Sequence, residues 1–299
     1  MSKRSAKGRD SQTALLTTIY RAIGSKEFQN QKVGSDHLAE YFLPSHVRFL
    51  IKSKRLRSRG KEKNKAQMPG VFEYVLARTA FFDDVFIEAL NGGIPQIVLL
   101  GAGYDTRPYR FSELNKCSRI IELDNAATQN RKNKCLKKFK IDIPEQVTHI
   151  PLDFNKESLK DVLQYAGYED SKKTLFSWEG VCMYLEPKSI DSILGLISHS
   201  SHAKSIIAFD YAITVLDDNS HKYYGAEEII RIIKRPRSNE SFKFTIDEDG
   251  IESFLDQRGL KIVKHLNHRQ VEESFLTGKN GASIGQPNGM FRFAIASPK

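Results

Sequence analysis

The chain has 299 residues, 40% of them hydrophobic and 27% charged, enough apolar material for one large buried core. Its longest apolar runs, at residues 97–100 and 206–209, are far too short to cross a bilayer, and the polar, basic N-terminus lacks the apolar stretch of a secretory signal. A membrane partner is therefore not expected, and the expected compartment is the cytoplasm. The net charge is +10, concentrated in residues 2–9 and 52–65, while the three cysteines show no CxxC spacing. Neither a disulfide framework nor a metal site is expected.

Residues 13–23 are apolar at helical spacing, and Asp36 can cap a second helix over residues 36–42. The basic tract 52–65 is expected to be a solvated, flexible segment, with an acidic partner as the other possibility. It contains no aromatic side chain to stack on a base, so nucleic acid is not the expected partner. Residues 1–70 are taken as a helical lid, and residues 71–299 as the main domain. Residues 71–90 carry apolar side chains at every third or fourth position, which predicts an amphipathic helix ended by Asn91-Gly92-Gly93.

Short apolar strands then alternate with polar helical stretches. Strands are expected at 96–100, 119–123, 147–152, 174–178, 205–209, 261–266 and 291–297. The first runs into Gly101-Ala102-Gly103, and the next four stop at Asp124, Asp153, Glu179 and Asp210. This pattern predicts an α/β fold: a Rossmann-like, seven-stranded, mostly parallel sheet with helices on both faces. Ligands in such a fold bind beyond the carboxyl ends of the strands. Residues 212–250 read as an insertion after the fifth strand, with a helix at 226–234 stopped by Pro236. Residues 267–289 read as a connection with little apolar periodicity, functional or mobile.

The glycine turn lets the backbone approach a ligand, and an acid about twenty residues on, at Asp124, can accept the hydroxyls of an adenosine ribose. A dinucleotide site would want Gly or Ala where this chain has Thr106. S-adenosylmethionine (SAM) has no phosphate to seat, and its sulfonium suits strand ends lined by acids. The residues thus favour SAM over a nicotinamide dinucleotide. A tight turn followed by a solvated strand-end acid is the plainer alternative.

Three segments together carry a family resemblance: Leu99 to Arg107 (LLGAGYDTR), Ile121-Glu122-Leu123-Asp124, and Trp178 to Leu185 (WEGVCMYL). With the upstream Ala77-Arg78-Thr79 and Asp83-Asp84, they make the chain resemble the leucine carboxyl methyltransferase family, well over residues 70–210 and more loosely over 21–42. The resemblance implies that Gly101 and Gly103 line the methionine end of SAM, and that Arg78 pairs with the carboxylate there. Asp124 would hold the ribose, and Asp153 with Phe154 would flank the adenine. Glu179 would face the methionine amino group and the reaction centre, and Tyr184 would stand close to the acceptor. Arg21 would match a basic residue at the amino-acid end of SAM, although its spacing to Asp36 departs from the family's.

Each residue also has a structural alternative: a surface ion pair for Arg78, a helix cap for Asp153, packing against the sheet for Tyr184. Trp178 is expected in the core and Asp105 as an organiser of the glycine turn. The function expected is O-methylation of a carboxylate or hydroxyl on a small-molecule or peptide acceptor. A carboxylate needs no base, whereas a hydroxyl would need one such as His221 or His268. A nucleic-acid methyltransferase would place an Asn/Asp-Pro-Pro-aromatic turn where this chain has Trp178-Glu179-Gly180-Val181. The other alternative is a SAM-binding domain without turnover.

Overall fold

A computed structural model describes residues 12–29, 31–234, 241–278 and 281–299. The basic residues 2–9 and Pro236 lie outside the described residues. The N-terminal part holds α1 (Gln12–Glu27), α2 (Ser45–Leu50), α3 (Lys54–Gln67) and α4 (Val71–Asn91), followed by β1 (Gln96–Leu100) and the single turn α5 (Arg107–Arg110). Next come β2 (Arg119–Asp124), α6 (Ala126–Phe139), β3 (Val147–Pro151), α7 (Leu159–Tyr165), β4 (Thr174–Trp178), α8 (Pro187–His199) and β5 (Ile206–Ala212). The chain closes with α9 (Ala226–Ile233), α10 (Ile251–Asp256), β6 (Leu260–Leu266), α11 (His268–Phe275) and β7 (Phe291–Pro298).

The seven strands form one sheet in the order β3-β2-β1-β4-β5-β7-β6. β1 to β5 pair in parallel, and β7 runs antiparallel to both β5 and β6. Alternate side chains of β1 feed opposite faces: Ile97 and Leu99 join a core cluster with α1, α4 and α11, whereas Val98 and Leu100 join another with α7, α8 and α10. The strand order reverses between β1 and β4, which opens a crevice at their carboxyl ends. Trp178 is buried beside Phe209, in the core as expected.

Several elements differ from the sequence reading. The basic tract is not a loop: α3 is a 14-residue helix whose cap, Ser53 Oγ, accepts from the Leu56 amide. Its inward residues Arg57 and Lys61 both pair with Glu27 of α1, and those anchors give a chain of mostly charged side chains a fixed surface to lie on. The helix expected from Asp36 is a 3-10 turn, Ala39–Phe42, whose N-cap position is Leu38 rather than Asp36; Asp36 Oδ1 accepts from the Ala39 amide at 3.0 Å. α4 is buried on most of its circumference, 15 of its 21 residues including Arg78 and Asp83, because sheet and α1 cover it from two sides. β5 does not stop at Asp210; it runs on to Ala212 because Asp210, Tyr211 and Ala212 pair with Phe293, Arg292 and Phe291 of β7. The 267–289 connection contains α11, nucleated by a capping box between Asn267 and Gln270.

Candidate functional site

The strand register builds the site. Leu100 pairs with Leu123, Leu99 with Ser177, and Trp178 with Phe209. Continued past these pairs, the register sets Asp124, Gly101, Glu179 and Asp210 in one row across the ends of β2, β1 and β4 and the second half of β5. Gly101 has φ +76°, and a Cβ there would lie 2.5 Å from a methyl of Val181. A side chain would thus strain the turn and collide with the segment after β4. The amides of Gly101 and Ala102 donate to the Leu123 carbonyl, which ties the turn to β2.

Asp124 closes this turn from the other side. Its Oδ2 accepts from the Gly103 amide at 2.6 Å, and its Oδ1 accepts from the Asn125 amide at 2.6 Å. Burial raises the carboxyl to about pH 6 as its midpoint, and these amide hydrogen bonds only partly counter that rise. Gly103 also lies beneath α1: a Cβ on it would stand 3.8 Å from Ala14. Further along α1, Arg21 donates to the Tyr104 carbonyl at 3.0 Å and to Asp36 at 2.7 Å.

Glu179 is held from two directions. Its Oε1 accepts from Arg78 Nε at 2.9 Å and its Oε2 from Arg107 Nη1 at 2.7 Å. Arg78 rises from the middle of α4 and also donates to the Tyr74 hydroxyl at 3.2 Å. The Tyr74 hydroxyl in turn donates to Asp210, whose other oxygen accepts from the Gly180 amide at 2.5 Å. Burial pushes the Asp210 carboxyl upward, and Arg78 and the Tyr74 hydrogen bond pull against it. Gly180 has φ +68°, and a Cβ on it would meet Arg78 Nη1 at 2.6 Å. The glycine after Glu179 is what admits the guanidinium.

The remaining expected residues sit around this centre. Asp153 and Phe154 follow the edge strand β3, and Asp153 is engaged with Lys156 and with the Asn155 amide. The Lys156 hydrogen bond holds its carboxyl below the ordinary range. Tyr184 packs edge-on against Phe242, with ring centroids 5.6 Å apart. Phe242 meets Phe291, which stacks on Tyr74 at 4.0 Å. An aromatic wall thus leads from the ionic centre to Tyr184. Backbone amides of Lys243 and Phe244 donate to the Met183 carbonyl, fixing the end of the 212–250 segment over the same turn. The partners of Glu179, Arg78 and Asp210 among the described residues include no histidine; His221 is exposed, and His268 lies within the field of Arg292, Arg269 and Glu248.

The sequence reading assigned no role to Arg107, Tyr74 or Asp83. Arg107 and Asp83 were visible inside the resembling segments, whereas nothing in the sequence marked Tyr74. Arg107 donates to Asp83 at 2.8 Å, to Asp105 at 2.8 Å and to the Thr79 carbonyl at 3.2 Å, in addition to Glu179. Asp105 organises the turn as expected, accepting from the Arg107 amide. Burial alone would raise its carboxyl, but Arg107, Lys132 and Arg21 together outweigh that and hold it at about 2.

A glycine turn locked to the acid that ends the next strand, at the switch point of a mostly parallel sheet, places the chain among Rossmann-like α/β folds. The family model described as leucine carboxyl methyltransferase matches residues 14–198, more than half of the chain. The chain belongs to the leucine carboxyl methyltransferase family. It is 32% identical over 205 residues to a Bacillus subtilis (strain 168) protein named "Putative S-adenosyl-L-methionine-dependent methyltransferase YktD", over 68% of this chain and 66% of that one. A similarly named protein of Mycobacterium sp. (strain KMS) is 28% identical over 56% of this chain and 54% of its own length. The chain thus spans between 45% and 66% of the length of the curated relatives it matches.

Two solved structures share the fold. One is of "a putative methyltransferase" from Thermobifida fusca YX, with TM-score 0.60 and 15% identity, covering 95% of this chain and 94% of that one. The other is of a DUF574 family protein from Streptomyces avermitilis MA-4680, with TM-score 0.63 and 12% identity, covering 97% and 98%. Among the described residues no helix is long and apolar enough to cross a membrane.

Proposed function

We propose that this chain is a SAM-dependent O-methyltransferase acting on a small-molecule or peptide acceptor, through a carboxylate in preference to a hydroxyl. The observation that carries the reading is the Asp124 carboxylate bonded to the Gly103 amide, which joins an acid suited to a ribose to a turn whose two glycines both have positive φ and whose Gly101 has no room for a side chain. The residues suit a cationic group. Five carboxylates (Asp36, Asp83, Asp105, Glu179 and Asp210) face four guanidiniums (Arg21, Arg78, Arg107 and Arg110) in one connected network.

When bound, SAM supplies a methyl group already activated by its sulfonium charge. Asp124 would hold the ribose hydroxyls, and the backbone at Gly101 and Gly103 would lie against the methionine portion. Arg78 would hold the methionine carboxylate and Glu179 the amino group, with Asp153 and Phe154 beside the adenine and Arg21 steadying the turn from α1. Tyr184 and the aromatic wall would orient the acceptor and exclude water, which together is most of what an in-line displacement needs from a protein. An acceptor carboxylate is ionised at neutral pH and requires no base, in keeping with a centre whose partners are arginines and acids.

Residues 1–70 are proposed as a lid over the cofactor and the 212–250 segment as a wall of the acceptor pocket. The Arg21 and Ala14 contacts support the first, and the docking of Phe242 on Tyr184 supports the second. The test is release of S-adenosylhomocysteine (SAH) from SAM across a panel of carboxylic acids and hydroxyl compounds, with products treated with mild alkali. A methyl ester releases methanol under alkali and a methyl ether does not. Alkali-stable product alone would replace carboxylate by hydroxyl chemistry, and turnover with no panel member would favour a binding role.

A further inference from the structure

Arg107 reaches Glu179, the glycine turn and α4 at once. Its Nε and Nη2 groups bond Asp83 and the Thr79 carbonyl on α4, while Nη1 is shared between Asp105 of the turn and Glu179 after β4. The guanidinium is only 3% exposed, and it lies 5.6 Å from the Phe82 ring centroid. The far side of Asp83 is fixed by Arg110, with hydrogen bonds of 2.7 and 2.9 Å, so the carboxylate that anchors Arg107 cannot drift. A planar fork with this many fixed acceptors has one orientation. Glu179 therefore receives its direction from a residue that sits behind it.

We propose that Arg107 is a positioning residue for the methionine end of the cofactor and that it acts through Glu179, an inference resting on the cofactor reading above. Arg78 grips only Oε1 of Glu179, which leaves the carboxylate free to rotate about its own axis; the second grip, on Oε2, sets that rotation. Lysine at position 107 keeps the charge of the network but offers a single ammonium, which cannot span α4 and the end of β4 together.

The experiment compares two probes by calorimetry on the full chain: SAH, which carries the amino-acid end, and 5′-methylthioadenosine, which lacks it. The native protein is expected to bind SAH more tightly than methylthioadenosine. Arg107→Lys is expected to weaken SAH by about tenfold or more while methylthioadenosine stays within about twofold, since a charge-assisted contact is lost at one end only. Arg107→Gln is the second variant, and the double variant Arg107→Lys/Glu179→Gln is expected to bind SAH no worse than Glu179→Gln alone. Equal losses for both probes would make Arg107 a purely structural residue and overturn the proposal, as would unchanged SAH binding. A native protein that binds neither probe, or binds both alike, would instead remove the underlying assignment of Glu179.

Discussion

Replacing Asp124 by Asn should strengthen the fold and weaken the cofactor at the same time. The Asp124 carboxyl has its midpoint at about 6 in the folded protein against 3.8 for an ordinary aspartate. Because the folded value is the higher one, ionisation opposes folding: stability is fullest below pH 3.8 and is lost as pH rises through 6. The difference corresponds to about 3 kcal/mol at pH 7.5 and about half of that at pH 5. Asparagine removes the penalty, keeps an oxygen for the backbone and side-chain amides of Asn125, and gives up the hydrogen bond from the Gly103 amide, worth about 1 kcal/mol. The net gain expected at pH 7.5 is about 1–2 kcal/mol, a rise of a few degrees in Tm. The gain should shrink toward zero at pH 5. SAH binding should fall by about 10–100-fold, because a charge-assisted ribose contact is worth about 1.5–3 kcal/mol. Thermal melts at the two pH values and calorimetry with SAH read both effects. A variant that is less stable at pH 7.5 and binds SAH normally would refute the placement of Asp124 as a strained, ligand-facing acid.

Gly180→Ala should fold but displace Arg78, since the added Cβ would stand 2.6 Å from its Nη1; a loss of about tenfold or more in SAH affinity is expected, and unchanged affinity would detach Arg78 from the site. Lys132→Met should cost about 3–5 kcal/mol in chemical denaturation, because it takes the ammonium from the buried Glu122 of β2 and leaves that carboxylate only the Tyr109 hydroxyl and His149, whereas Lys132→Met with Glu122→Leu should recover much of the loss. Equal stability of the single and double variants would show that the pair is not coupled. Replacing residues 226–234 by a short glycine linker should abolish methyl transfer and leave SAH binding within about threefold, as an acceptor wall requires. Loss of SAH binding as well would assign that helix to the cofactor instead.

The parts of the fold that were legible in the sequence are those where burial imposes a short period. β1, β2 and β4 are apolar runs ended by a glycine or an acid, and the row of Gly101, Asp124 and Glu179 follows from their parallel register. What stayed hidden depends on contacts between distant segments. Arg107 meets Asp83 and Glu179 across 24 and 72 positions, and no spacing rule announces such pairs. Nothing in the spacing of α4 singles out Tyr74, whose hydroxyl donates to Asp210 136 positions away. α3 reads as a solvated charge run because its order comes from one cap and from Glu27 on another helix. β5 was read as ending at Asp210 because an acid usually marks a strand end; pairing with β7 carries it further.

Calorimetry of the purified chain against SAH and NAD tests the cofactor assignment most directly. The glycine turn gives way to Thr106 where a dinucleotide fold needs a small residue beneath a pyrophosphate, and the row of Asp124, Glu179 and Asp210 along the crevice would repel phosphates. Saturable one-to-one binding of SAH is expected, weakened by Asp124→Asn and with no heat from NAD. NAD binding more tightly than SAH, or no binding of SAH at all, would contradict the assignment of these strand ends to SAM.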